Sequence, residues 1–144
     1  MNMKTVAEIL AVKHRDVIGV TPSTTVLDAL KLMADNNIGS LLVIESGEYR
    51  GLMTERDYAR KVILVGKASV DTKVGDIMST DLPQIAPETS VEVCMQLMSS
   101  RNIRYLPVFA DGRLHGIVSV NDVIKAVIDH QAETISHLSS YIHS

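Results

Sequence analysis

The sequence predicts a mixed α/β (α+β) fold of two pseudo-twofold-related β-α-β-β-α repeats packed through their sheets. Three observations predict it. Apolar runs of strand length alternate with amphipathic segments at helical spacing. From the second proline onward, the second half repeats the first at a constant offset of 65 residues. A strand-to-helix junction, Gly51-Leu52-Met53-Thr54-Glu55-Arg56-Asp57, returns as Gly116-Ile117-Val118-Ser119-Val120-Asn121-Asp122.

Each element has its own signal. Val6, Ile9 and Leu10 at helical spacing predict a short lead-in helix over Thr5–Val12, followed by the polar break Lys13-His14-Arg15-Asp16. Val17-Ile18-Gly19-Val20 is a short strand stopped by Thr21-Pro22. Thr24 or Thr25 caps a helix whose apolar face is Val26, Leu27, Leu30, Met33 and Ala34, and Asn36-Asn37 ends it. Leu41-Leu42-Val43-Ile44 is a continuous apolar run, the pattern of a strand buried on both faces. A turn at Glu45–Glu48 returns the chain as a second strand, Tyr49–Thr54. Glu55 opens a helix carrying Tyr58, Val62, Ile63 and Val65, closed by Gly66.

The pattern then restarts. Val74-Gly75-Asp76-Ile77-Met78 echoes Val6-Ala7-Glu8-Ile9-Leu10, and Pro22, Thr24, Val26, Asn37, Leu41, Gly47, Gly51 and Asp57 meet Pro87, Thr89, Val91, Asn102, Leu106, Gly112, Gly116 and Asp122. The expected organisation is a first repeat over residues 6–66, a linker at 67–73, a second repeat over 74–129, and a helical tail at 130–144. A three-stranded unit of this size buries too little surface to stand alone, so the two halves are expected to share their stability.

Composition excludes several classes. With 144 residues, 46% of them hydrophobic, the chain has enough apolar material for a substantial core. A net charge of −3 and an absence of Trp argue against nucleic-acid partners. No apolar run approaches the ~20 residues that span a bilayer, so no membrane partner is expected. Met1–Glu8 has no apolar signal core, and the single Cys94 fits a reducing cytoplasm. Cys94 replaces Ala29 on an amphipathic helix and reads as a small core residue. The histidines are scattered with no Cys partner, so no metal site is expected, and no nucleophile–base set or phosphate-binding glycine loop marks an enzyme.

The doubled junction, with a hydroxyl and an aspartate three apart, points to two copies of a small-molecule site. A Thr-x-x-Asp at a helix start is, by itself, most often a capping motif. Its duplication behind a glycine-led apolar strand, together with Arg101-Asn102-Ile103-Arg104-Tyr105-Leu106-Pro107-Val108, resembles the stand-alone form of the tandem CBS-domain family, named for the regulatory region of cystathionine β-synthase. The resemblance covers roughly Val6 to Asp129.

That resemblance implies a cytoplasmic, non-catalytic sensor that binds an adenosine-containing ligand (AMP, ADP, ATP or NAD(H)) in clefts between the repeats. It further implies a homodimer and an effector protein to receive the signal. Carried onto this chain, the first cleft joins Thr54, Arg56 and Asp57 with Met78, Pro83, Ile103, Arg104, Tyr105 and Pro107. The second joins Ser119, Asn121 and Asp122 with Lys13, Ile18, Ile38, Gly39, Ser40 and Leu42. The chemistry suits the assignment. A carboxylate accepts two hydrogen bonds from a ribose diol, a hydroxyl and helix-start N–H groups meet phosphate, and Ile, Met and Pro sandwich a base. Arg56 and Arg104, whose counterparts are Asn121 and Gly39, make the first cleft the expected main nucleotide site; the second, served only by Lys13, is expected to be weaker, selective for less charged ligands, or empty. The alternative is a structural or interaction pair with no physiological nucleotide. The exposed-looking Tyr58, Val62, Val65, Ile124, Val127 and Ile128 point to pairing of two copies through those helices, or equally to completion of the intramolecular core.

Overall fold

The computed structural model describes residues 4–13 and 18–143. The chain divides into two compact units, one of Asp16–Asp81 and one combining Met1–Arg15 with Leu82–Ser144. The first contains the first copy of the repeat, the second contains the second copy.

In the first-copy unit, β1 (Gly19–Val20), β2 (Ser40–Glu45) and β3 (Glu48–Thr54) form a sheet in that order. β1 runs parallel to β2, pairing Gly19 with Leu42, and β2 runs antiparallel to β3, pairing Ser40 with Thr54. The hairpin turns on Ser46 and Gly47, both at positive φ (54° and 79°), as the tight two-residue connection requires. Helix α2 (Val26–Asn36) is capped by Thr25, whose hydroxyl accepts from the Asp28 N–H, and ends on Asn37 in the left-handed conformation. Its Val26, Ala29 and Met33 pack with Val20, Leu41, Val43, Met53 and Val62.

The second-copy unit repeats these devices. Helix α5 (Val91–Arg101) is capped by Ser90 and stopped by left-handed Asn102. β4 (Tyr105–Ala110) and β5 (Arg113–Ser119) pair antiparallel around Asp111-Gly112, and each hairpin carries a bulge at the matching step, Val43/Ile44 and Val108/Phe109. The expected leading strand of this copy is reduced to one parallel bridge, Ile85 to Val108. Pro83 and Pro87 flank it, and neither has an N–H to extend the ladder.

The lead-in helices are exchanged. α1 (Val6–Val12), which opens the first repeat, belongs to the second-copy unit, where Val6 and Ile9 join the core of Val91, Cys94, Met98, Leu106, Val108, Val118 and Val123. α4 (Val74–Ile77), which opens the second repeat, contributes Val74 and Ile77 to the first-copy core. The backbone bonds are reciprocal. Val6 and Ala7 donate to Thr89 and Pro87 while Val91 donates to Lys4; Val74 and Gly75 donate to Thr24 and Pro22 while Val26 donates to Thr72. The stretch read as a linker, 67–73, is fastened in this exchange: Leu27 donates to the Ser69 carbonyl, and buried Thr72 donates its hydroxyl to the Ala68 carbonyl.

The helices after the junctions differ from expectation. α3 (Glu55–Tyr58) passes into a π-helical turn, Ala59–Ile63, closed by Gly66 at φ 74°. Val62 is fully buried and Tyr58 half-buried, which leaves Ile63, Leu64 and Val65 exposed. The second copy runs on as one helix, α6 (Val120–His143), with no break before a separate tail. The position matching Gly66 is Gln131, and no Gly or Pro interrupts residues 120–143. Ile124 and Ile128 are exposed, as expected, but Val127 packs against the core. Of the apolar tail positions, Ile135 is exposed, while the side chains of Leu138 and Ile142 lie outside the described residues.

Two measurements check this packing. A Cβ on Gly51 would lie 2.5 Å from the Ser79 carbonyl oxygen, inside the backbone pair that Ser79 makes with Leu52. Gly51→Ala should therefore lower the urea midpoint by the equivalent of ~1–3 kcal/mol at an unchanged m-value. Burial pushes the Cys94 thiol up to about 11, against a weaker opposing backbone hydrogen bond. Iodoacetamide at pH 8 should leave Cys94 unmodified in the native protein and alkylate it fully in denaturant, read by intact mass.

Candidate functional site

The two junctions form from the same local rule. A strand ends in a hydroxyl residue with extended backbone, and that residue caps the helix that follows. Thr54 (φ −117°, ψ 163°) accepts a hydrogen bond from the Asp57 N–H at 3.1 Å through its hydroxyl, and the Thr54 N–H donates to Asp57 Oδ2 at 3.0 Å. The Gly39 carbonyl takes the Glu55 N–H, fixing the first turn. In the second copy Ser119 accepts from the Asp122 N–H at 3.2 Å, Asp122 Oδ2 accepts from the Ser119 N–H at 2.8 Å, and the Arg104 carbonyl takes the Val120 N–H.

Beyond the cap the aspartates diverge. Asp57 is buried, and both its oxygens are occupied within its own unit. Oδ2 also accepts from the Thr54 hydroxyl at 3.0 Å, while Oδ1 accepts from the Ser79 hydroxyl at 2.8 Å and meets the Lys61 ammonium at 3.0 Å. Lys61 is anchored further by the Ile77 carbonyl at 2.9 Å. Asp122 is more open, and its hydrogen bonds from Ser119 and Lys13 both fall on Oδ2. Among the described residues no hydrogen bond reaches Oδ1, so it keeps acceptor capacity. Lys13 Nζ lies 2.9 Å from Oδ2 and 2.8 Å from the Ile117 carbonyl oxygen. Burial pushes the Asp122 carboxyl up, but the Ser119 N–H, Lys13 and the Ser119 hydroxyl together outweigh it and hold the group below its ordinary range.

The residues expected in two clefts are distributed evenly over the units. The first-copy unit holds Thr54, Arg56, Asp57 and Met78 of the first set, with Ile38, Gly39, Ser40 and Leu42 of the second and Ile18 on the approach to β1. The second-copy unit holds Ser119, Asn121, Asp122 and Lys13 of the second set, with Pro83, Ile103, Arg104, Tyr105 and Pro107 of the first. Within the units, β-pairing sets Ser40 opposite Thr54 and Tyr105 opposite Ser119. Leu42 and Pro107 are buried, whereas Arg104 and Asn121 are exposed. Arg56 and Tyr105 are already engaged in interactions of their own. Two partners of Asp57 escaped the sequence reading. Lys61 had a signal, its spacing of four from Asp57 on one helix, whereas Ser79 is delivered by the distant Leu52–Ser79 bridge.

The family model described as CBS domain matches this chain twice, over residues 6–64 and 74–129. The chain belongs to the CBS-domain family. Among the similar CBS proteins, the mitochondrial CBS domain-containing protein CBSX3 of Arabidopsis thaliana is 40% identical, covering 96% of this chain and 71% of that one. A solved CBS-domain protein from Burkholderia ambifaria superposes with a TM-score of 0.84 at 43% identity, covering 89% of this chain and 96% of that chain. A hexameric CBS-CP12 protein from bloom-forming cyanobacteria gives a TM-score of 0.73 at 32% identity, covering 85% of this chain and 71% of that one. This chain is thus a CBS pair of mixed α/β fold, of the class that serves as regulatory modules.

The depressed Asp122 carboxyl makes a pH prediction. Its folded pKa lies below the unfolded value, so its contribution to stability is present above the unfolded value of about 3.8 and is lost as pH falls through the folded value. The melting-temperature difference between wild type and Asp122→Asn should be full at pH 6 and shrink steadily below pH 4. A difference that is constant from pH 6 to pH 2.5 would contradict the assignment.

Proposed function

We propose that this CBS pair is a non-catalytic sensor that binds an adenosine-containing ligand, an adenine nucleotide or NAD(H), at its hydroxyl-x-x-aspartate junctions. It signals through conformation or oligomer state to an effector protein. The observation that carries this reading is the acceptor capacity left on Asp122 Oδ1, beside a lysine and at the start of a helix. A carboxylate held ionised with one open oxygen suits a ribose diol, and the neighbouring ammonium suits a phosphate. At Asp57 a ligand would have to displace Ser79 or Lys61 first, while the half-buried Arg56 nearby adds positive charge.

The exposed Ile124, Ile128 and Ile135 along α6 support pairing of two copies. The free, buried Cys94 suits a reducing compartment such as the cytoplasm, and the name of the Arabidopsis relative adds the mitochondrion as a second setting. Among the described residues no helix is long and apolar enough to cross a membrane, and no cluster of His, Cys, Asp or Glu could hold a metal.

One observation favours a second reading, an interaction module without a nucleotide. The Asp57 junction is complete in itself, with every carboxylate lone pair used inside its unit. A thermal-shift titration separates the two. AMP, ADP, ATP, NADH or S-adenosylmethionine at about a hundredfold over Kd should raise the melting temperature by roughly 5–10 °C. Asp122→Ala should remove most of the shift and Asp57→Ala a smaller part. No shift with any of these ligands would leave the interaction module as the surviving reading.

A further inference from the structure

Lys13 reaches Asp122 from the far end of the sequence. It stands at the C-cap of α1, with its own N–H on the Leu10 carbonyl. Leu10 packs over β5 where Gly116 offers no side chain; a Cβ there would lie 3.0 Å from Leu10 Cδ2. The exchanged lead-in therefore sets Lys13 above the β5–α6 junction, where its ammonium bridges the Ile117 carbonyl and the Asp122 carboxylate. The first copy is built otherwise. By the offset of 68 that relates the lead-ins, the residue matching Lys13 is the exposed, acidic Asp81, and the lysine on Asp57 comes from the helix of the same junction. The second junction alone has its aspartate neutralised by a cation carried on a separate element.

Resting on the function proposed above, we infer that Lys13 is a counter-ion latch that sets the ligand preference of the Asp122 junction. With no ligand bound, the ammonium neutralises the carboxylate. An adenosine-containing ligand that carries phosphate takes both charges at once, its ribose diol donating to Asp122 and its phosphate accepting Lys13. A neutral nucleoside supplies the diol but no anion. It must either leave Lys13 on Oδ2 and use Oδ1 alone, or strand a partly buried ammonium whose side chain is only 30% exposed. Selection for the anionic ligand then comes from the penalty on the neutral one as much as from attraction to phosphate.

Calorimetric titrations of wild type, Lys13→Met and Lys13→Arg with AMP and with adenosine, at one ionic strength, test this. The binding heat that Asp122→Asn abolishes is assigned to the second junction. Wild type should prefer AMP, Lys13→Met should reduce the AMP-to-adenosine affinity ratio tenfold or more and gain affinity for adenosine, and Lys13→Arg should keep the preference. Lys13→Gln, which retains a donor for the Ile117 carbonyl, gives the same readout where the Met variant is unstable. An unchanged ratio in a variant that still binds AMP overturns the latch and leaves the sensor reading standing. No binding of AMP or adenosine by wild type or any variant overturns the latch, and no binding of ATP or NADH besides overturns the sensor reading with it.

Discussion

The exchange of lead-in segments is the constraint on which the rest depends. Three backbone hydrogen bonds fasten Lys4–Ala7 to the loop before α5, and three at equivalent positions fasten Thr72–Gly75 to the loop before α2. Each such bond is worth only ~0.5–1.5 kcal/mol net, but together they place a buried valine and isoleucine into each core, Val6 with Ile9 and Val74 with Ile77. Neither copy owns a complete core. The tandem order of the sequence and the packing of the molecule are therefore different partitions of the same chain, and the short segment that opens each repeat is a structural part of the other.

The junctions inherit this arrangement. Gly51 and Gly116 are needed because the exchanged segments pass directly over them: Ser79 and Met78 over the first, Leu10 over the second. A segment held that close to a strand end delivers whatever follows it to the helix start. In the first copy this is the Ser79 hydroxyl, which closes on Asp57; in the second it is the Lys13 ammonium, which closes on Asp122. The capping geometry is conserved between the copies down to its donor and acceptor atoms, while the third party is not. A duplicated scaffold has been kept, and the side chain brought to it has been varied.

Much of this was legible in the sequence because it follows from local rules. The Thr25 and Ser90 caps, the Asn37 and Asn102 stops and the two hairpin turns all sit at residues whose conformational preferences match their positions. The duplication made the junction aspartates visible. What stayed hidden was non-local or a matter of competition. No pattern tells which core a lead-in helix will join, since its apolar face fits either. The repeat boundary sets a helical tail at 130–144 apart from the second repeat, yet a repeat boundary does not stop a helix, and residues 120–143 hold no Gly or Pro to end it. The sequence offers Lys13 as a cation for phosphate at the second junction; the structure gives it a carboxylate partner.

That last difference changes how the junction arginines weigh against the aspartates. Counting basic side chains favours the Asp57 junction, with Arg56 beside it. Counting what each carboxylate has left to give reverses the order. Asp57 takes four hydrogen bonds or ion pairs on two oxygens, so a ribose there gains its hydrogen bonds only by breaking others of equal kind, and the net exchange is close to neutral. Among the described residues the Asp122 hydrogen bonds from the Ser119 N–H and Lys13 both fall on one oxygen, so a ribose hydroxyl would bond the other without breaking either. Local charge attracts an anion to a surface, but a polar ligand is held by acceptors and donors not already satisfied. On that ground the proposed ribose contact favours the second junction, poorer in arginine, over the first.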